Sequence, residues 1–309
     1  MTKVFIDGSA GTTGLRIAER LATRRDLALI TLSEERRKDP AARAAALNEA
    51  DIAFLCLPDA AAIEAVGMVQ NRSTAVIDTS TAHRTAPGWV YGFPELDGRR
   101  SAVASSNRIA NPGCHASGFL ALTAPLVKAG LLPPDAALTC FSLTGYSGGG
   151  KKMIADYEAD GRDPLLKAPR QYGLAQSHKH LPEMTAVSGL TVPPAFCPVV
   201  ADFYSGMEVT VPLFAHQLKG TRADVLDVYR QTYTGPVVRL VENADESGFW
   251  SAAAFSGRDD MQITVAGNDE RLLLCARFDN LGKGASGAAI QNMNIRLGLE
   301  ETTGLIIGG

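Results

Sequence analysis

Apolar positions in the first third of the chain fall in compact runs separated by stretches with helical spacing. The runs are KVFID (3–7), LALITL (27–32), DIAFLCL (51–57) and AVID (75–78). Apolar runs this short, bounded by turn formers, predict buried strands. Between the first two, TGLRIAERLAT places Leu15, Ala18, Leu21 and Ala22 on one helical face. DPAARAAALNEA (39–50) predicts a helix capped by Asp39, with Pro40 at the first position, where its missing N–H costs nothing. DAAAIEAVGMVQ (59–70) predicts another, capped by Asp59. Strands and helices alternating at this spacing predict a parallel sheet with helices on both faces.

After residue 114 the rhythm changes. A helix is expected over 114–129, and LTCFSLTGYSGGGKK (138–152) runs from a strand into a glycine-rich loop. From about 195 to 278 the pattern is strand-like, in EVTVPLF, VVRLVE and MQITVAGNDERLLLCARF, and GND in the last piece marks a hairpin. The final segment, GKGASGAAIQNMNIRLGLEETTG, returns to helical spacing with Ala288, Ile290, Met293 and Leu297 as buried positions. The fold class is α/β plus α+β: a doubly wound parallel sheet, then a second domain on a mixed or antiparallel sheet. A length of 309 residues is consistent with two domains.

Composition narrows the partners. The chain carries 30 Lys and Arg against 33 Asp and Glu, a net charge of -3, with no basic run. That argues against nucleic acid, while an anionic small molecule needs only a few local cations. The cysteines Cys56, Cys114, Cys140, Cys197 and Cys275 are widely spaced and form no CxxC pair. This fits neither a disulfide framework nor a zinc site, and Cys56 and Cys275, inside apolar runs, read as core. No stretch approaches the ~20 apolar residues of a membrane helix. The start, MTKVFIDGSAG, lacks a signal-peptide pattern. A cytoplasmic protein without a membrane partner is expected.

Several short patterns carry chemistry. DGSAGTTG places Gly8, Gly11 and Gly14, with Ser9, Thr12 and Thr13, between the first strand and first helix. Glycines there allow a tight turn and let a pyrophosphate rest on the helix N-terminus; the plainer reading is a structural turn. After the second strand, LSEERRKD offers Ser33, Glu34 and Glu35, then Arg36, Arg37 and Lys38. An acidic residue there suits ribose hydroxyls and a cation suits a 2′-phosphate. Three successive cations favour NADP, against the alternative of a solvated helix start.

NPGCHASGF (111–119) sets Cys114 behind a Pro-Gly pair at an expected helix start. Helix N-termini lower thiol pKa values, and the thiolate is the nucleophile. QSHKHLPEM places His178 and His180 two apart, on one face if extended, with Glu183 following. Such a pair suits proton transfer, with a carboxylate to orient it; surface histidines or a metal site are the alternatives, and no further ligand cluster supports a metal. Arg84 and Arg108 are candidates for holding a phosphate, as either is for a structural ion pair. GYSGGGK (145–151), with Ser147 and Lys151, is a further candidate substrate segment, as is Asn111.

GSAGTTG, YGFPEL, NPGCHASGF, HKHLPE and NLGKGASGAAIQNMN, in that order, resemble the N-acetyl-gamma-glutamyl-phosphate reductase family, in its shorter subtype with Cys-His rather than Cys-Tyr. The resemblance implies an N-terminal Rossmann domain over 1–113 and 286–309 and a catalytic and dimerisation domain over 114–285. It implies NADPH-dependent reduction of an acyl phosphate to an aldehyde in arginine biosynthesis, by a homo-oligomer, dimer or tetramer. Cys114 would form a thioester at the domain junction, facing nicotinamide and substrate, and a histidine would move the proton; Glu183 suggests His180. Lys283 and Gly284 become cofactor candidates through NLGKGASG. Other readings are the same chemistry on an aspartyl or aminoadipyl phosphate, a Cys-His hydrolase, or a non-catalytic NADP-binding regulator.

Overall fold

The computed structural model describes residues 1–308 and divides into two compact units. The first comprises residues 1–94, 98–112 and 285–305; the second comprises 95–97, 113–284 and the tail from 306.

The first unit opens with β1 (Thr2–Asp7), α1 (Thr12–Leu21), β2 (Leu27–Ile30), α2 (Pro40–Glu49), β3 (Ile52–Leu55), α3 (Asp59–Met68) and β4 (Ala75–Asp78). It continues with β5 (Val90–Tyr91), α4 (Arg99–Ser105) and β6 (Arg108–Ala110). The sheet order is β2-β1-β3-β4-β6-β5, and every pairing is parallel. The order reverses at β1/β3, and ligands bind beyond the carboxyl ends of the strands at such a switch. Alternating strand residues feed two cores. Val4, Phe54, Ile77 and Ile109 meet Ile17 and Leu21 of α1 and the late residues Ile290 and Met293. Phe5, Ala53, Leu55 and Val76 meet Leu47 of α2 and Ala62 of α3 on the other face.

Local predictions fail at two points. The buried stripe of α1 is Gly14, Ile17 and Leu21, while Leu15 is 48% exposed and Ala22 is exposed. The helix is rotated by one position because Gly14 lies against the turn it follows: a Cβ there would stand 2.4 Å from the Gly8 carbonyl oxygen. Asp39 does cap α2, accepting from the Ala41 N–H. Asp59, by contrast, lies inside α3 behind Pro58 and accepts from the Thr81 N–H at 2.9 Å.

The second unit contains α5 (Cys114–Lys128), β7 (Thr139–Gly145), α6 (Gly150–Glu158), β8 (Arg170–Gln171), α7 (Leu181–Ser188), β9 (Ala195–Ala201) and β10 (Met207–Phe214). It ends with α8 (Arg222–Thr232), β11 (Val238–Leu240), β12 (Met261–Gly267) and β13 (Arg271–Phe278); α9 (Gly287–Arg296) belongs to the first unit. Its mixed sheet runs β11-β12-β13-β10-β7-β9-β8. The hairpin at Gly267 joins antiparallel β12 and β13. The glycine-rich stretch expected as a loop is a 3-10 turn (Tyr146–Gly149) followed directly by α6. The helix α8 lies within a region read from sequence as mostly strand.

Helix α5 packs against β10 and β13, with α7 and α8 beside it. Gly118 permits the approach, since a Cβ there would lie 2.5 Å from Val209 Cγ2. On the other face of the sheet, registered rows bring Phe141, Thr210 and Cys275 together, then Pro212 and Leu273. Phe141 and Leu273 are exposed there. Among the described residues, no helix is long and apolar enough to cross a membrane.

Candidate active site

Cys114 is the first residue of α5. Gly113 caps the helix in extended conformation and, as a glycine, brings no side chain of its own to the first amides. Those amides have no partner within the helix and favour negative charge beside them. Two contacts fix the position. The Gly113 N–H donates to Glu183 Oε2 at 3.1 Å, tying α5 to α7. The backbone at Gly284 passes so close that a Cβ there would stand 2.9 Å from Cys114 Cβ.

His178 and His180 lie in a turn leading into α7 rather than an extended segment, so alternation does not explain their pairing. Instead the His180 N–H donates to His178 Nδ1 at 3.2 Å, and the rings sit 4.8 Å apart. Glu183, in the first turn of α7, brings Oε1 to 3.9 Å from His180 Nε2.

A third imidazole joins them, one that sequence reasoning did not single out. His115 is 2% exposed, with its ring 5.5 Å from that of His180 and 5.8 Å from that of His178. Nδ1 is 2.6 Å from Ser142 Oγ, and Nε2 is 2.7 Å from the Tyr172 hydroxyl. Burial depresses its pKa to about 3, so the ring is neutral at working pH. The only sequence signal was its place beside Cys114. Ser142 and Tyr172 belong to β7 and the segment after β8, which sequence spacing does not connect to it.

In the first unit, Gly8 has φ +87°, and a Cβ on it would lie 2.3 Å from the Cys56 carbonyl oxygen. Its carbonyl accepts from the Gly11 N–H at 3.0 Å, and Gly11 then caps α1 without a side-chain bond. Thr12 and Thr13 begin that helix. Gly8 and Ser9 line a cleft of about 500 Å³ at the carboxyl ends of the strands, with Arg37, Lys38 and Arg43 on its wall. A glycine turn under an uncapped helix start fits the phosphates of a dinucleotide. Arg36 and Ser33 do not line the cleft; Ser33 bonds the Glu35 carboxylate and holds its pKa below the usual range. Arg43, absent from the sequence reading, donates bidentately to Asp7 at the end of β1.

Several of the residues expected at the substrate or cofactor have other partners. Arg108 Nη1 donates to the Thr74 and Asn107 carbonyls, at the amino-terminal edge of the sheet and away from the ligand-binding edge. Arg84 is at the carboxyl edge, on the Asn111 and Thr79 carbonyls. Asn111 is buried and bonds Ala285 O and Asn292. Ser147 is buried against Asn280, and Lys151 is exposed on α6. Lys283, expected beside the cofactor, is 1% exposed and forms two 2.8 Å bonds to Glu95. Cys275 is buried as expected, but Cys56 is only half-buried. Among the described residues, no group of three or more His, Cys, Asp or Glu could hold a metal ion.

Comparison with known proteins agrees with this division. The model of the semialdehyde dehydrogenase NAD binding domain matches residues 3–105, and that of the semialdehyde dehydrogenase dimerisation domain matches 114–280. Aspartate semialdehyde dehydrogenase II from Vibrio cholerae shares the fold, with TM-score 0.72 at 17% identity over 96% of this chain and 98% of that one. A Candida albicans aspartate semialdehyde dehydrogenase with NADP gives TM-score 0.66 at 15% identity, over 97% and 100% of the two chains. The chain is thus an oxidoreductase of the semialdehyde dehydrogenase class, with a nicotinamide-cofactor domain. The N-acetyl-gamma-glutamyl-phosphate reductase of Chelativorans sp. is 48% identical over 305 residues, 96% of this chain and 98% of that protein. N-acetyl-gamma-glutamyl-phosphate reductase 2 of Nostoc sp. is 45% identical over 98% of this chain and 99% of its own. The chain belongs to the N-acetyl-gamma-glutamyl-phosphate reductase family.

The Lys283–Glu95 pair gives the first prediction. Lys283→Met should cost about 3–5 kcal/mol of stability in urea unfolding, because it strands a buried carboxylate. Lys283→Met with Glu95→Gln should recover much of that loss, with cofactor affinity unchanged throughout. A stable Lys283→Met protein with weakened cofactor binding would return this lysine to the cofactor site.

Proposed function

We propose that this chain reduces N-acetyl-L-glutamyl 5-phosphate to N-acetyl-L-glutamate 5-semialdehyde and phosphate, with NADPH, in L-arginine biosynthesis. The observation that carries the reading is Cys114 as the first residue of α5, with Glu183 linking that helix start to His180.

Cys114 sulfur attacks the acyl carbon; the S–C bond forms, the C–O bond to phosphate breaks, and an acyl thioester remains. Backbone N–H groups in the first turn of α5 hold the oxyanion. The Gly8–Gly11 turn and the start of α1 would hold a nicotinamide dinucleotide, which would supply the hydride needed to bring the thioester to the aldehyde oxidation level. His180, oriented by Glu183, gives a proton to the thiohemiacetal oxygen and recovers it as the C–S bond breaks. His178, hydrogen-bonded to the turn, holds the substrate. Arg84 remains the phosphate candidate at the carboxyl edge of its sheet.

Arg37 and Lys38 on the cleft wall support NADP over NAD. The NADP-bound Candida albicans relative, similar in fold, is in keeping with that preference. The open sheet face around Phe141, Pro212 and Leu273 suits a second copy of the chain, in a region that matches a dimerisation-domain model.

Cys114→Ser should keep the fold and cofactor binding but lose nearly all reductase activity, since a hydroxyl is a far poorer nucleophile. His180→Asn should lower kcat by about a hundredfold, whereas His178→Asn should mainly raise KM. Near-wild-type turnover by the serine variant would sink the covalent route.

Arg37 and Lys38 replaced together by Gln should weaken NADPH binding more than NADH binding, as fluorescence titration would read. Equal losses would place these cations away from the 2′-phosphate.

Leu273→Glu should shift the protein to monomer in sedimentation velocity. An unchanged oligomer would move the interface elsewhere.

A further inference from the structure

We propose that Ser142 and His115 form a tautomer lock that turns the Tyr172 hydroxyl proton toward the acyl group on Cys114, making His115 a positioning residue and Tyr172 a catalytic donor. The inference rests on Cys114 as the nucleophile.

Hydrogen-bond accounting sets the direction. Ser142, on β7, is fully buried, and the only partner of its hydroxyl among the described residues is His115 Nδ1, at 2.6 Å. A buried hydroxyl proton needs an acceptor, so Ser142 donates and Nδ1 accepts. A neutral imidazole that accepts at Nδ1 carries its proton on Nε2. Nε2–H therefore donates to the Tyr172 oxygen at 2.7 Å. The opposite tautomer would bury the Ser142 proton without an acceptor. Tyr172 oxygen has accepted, and among the described residues its own proton has no other acceptor.

The ring does not escape this arrangement by protonating at working pH, because burial holds its pKa near 3, well below the imidazole's ordinary range. Burial also raises the Tyr172 pKa, and Cys114 adds to the rise through its charge. The phenol therefore keeps its proton, and its bond to His115, the residue directly after Cys114, anchors it at the start of α5. When sulfur attacks the acyl carbon, the carbonyl oxygen gains negative charge. Tyr172 O–H donates a hydrogen bond to it without giving up the proton. The oxyanion then collapses and expels phosphate.

Full-length Ser142→Ala, Ser142→Thr, Tyr172→Phe and the Ser142→Ala/Tyr172→Phe double variant are assayed in reverse, with N-acetylglutamate semialdehyde, phosphate and NADP. Tyr172→Phe should lower kcat about a hundredfold, the usual effect of losing one oxyanion donor, with KM little changed. Ser142→Ala should lower kcat about tenfold, as loss of an outer-shell partner does, and Ser142→Thr should restore it. The double variant should be no slower than Tyr172→Phe, because the lock then has nothing to aim. Losses that multiply, or a Tyr172→Phe effect confined to KM, would overturn the proposal. In a wild-type sample with 15N-labelled imidazoles, His115, assigned through His115→Gln, should show a protonated Nε2 and a bare Nδ1. The reverse tautomer also overturns it. The spectrum decides the lock even if the wild type proves inactive on this substrate, which would refute the functional reading separately.

Discussion

The second unit depends on α5 lying buried along almost its whole length, from His115 to Leu126. A helix so enclosed cannot slide or rotate, so its first residue is held in place by its body. Pro125 sits inside it. Proline brings no N–H to the carbonyl four residues back, and that carbonyl, Ala121 O, accepts from the Tyr233 hydroxyl at 2.6 Å. Tyr229 does the same for Leu122 O. Tyr233, the residue after α8, thus supplies the donor that Pro125 lacks near the end of a buried helix, and Gly118 lets that helix meet the sheet.

Much of this was legible because it is local. Short apolar runs separate the strands of the first sheet, and Asp39-Pro40 marks a helix start by mechanisms that act within a few residues. The misread parts depend on tertiary contacts. Leu15 has the right period to be buried, but Gly14 sits closer to the Gly8 turn and takes that face. Helix α8 has a capping box at Thr221 and Asp224, a local signal overlooked amid strand-like neighbours. The HKH spacing led to the right residues through the wrong geometry, since a turn and the start of α7 bring the rings together.

Cations show the same limit more sharply. From sequence, Arg84 and Arg108 are candidates for a phosphate, Lys151 for the substrate and Lys283, through the resemblance, for the cofactor. In the structure Arg108 has carbonyl partners, and burial lowers its pKa. Lys283 faces Glu95 inside the second unit. Such partners are set by chain topology, and no spacing reveals them. Arg43 is the converse: an unremarkable alanine-helix residue in sequence, it reaches Asp7 and the cleft wall because α2 crosses β1 there.

Three imidazoles within about 6 Å of one another would repel strongly if all were charged. The protein avoids this by keeping one neutral down to about pH 3. His115 is buried between two hydroxyls, and its pKa near 3 keeps a proton off it while its neighbours work. This has a linked cost in stability. Below pH 6.5 the unfolded chain binds a proton at His115 that the folded chain refuses until about pH 3. Folding stability is therefore fully present above that range and is lost as pH falls through it. A residue kept neutral in the folded site down to about pH 3 nevertheless lowers stability in acid, and its neutrality spares the neighbouring His178 and His180 a buried positive charge.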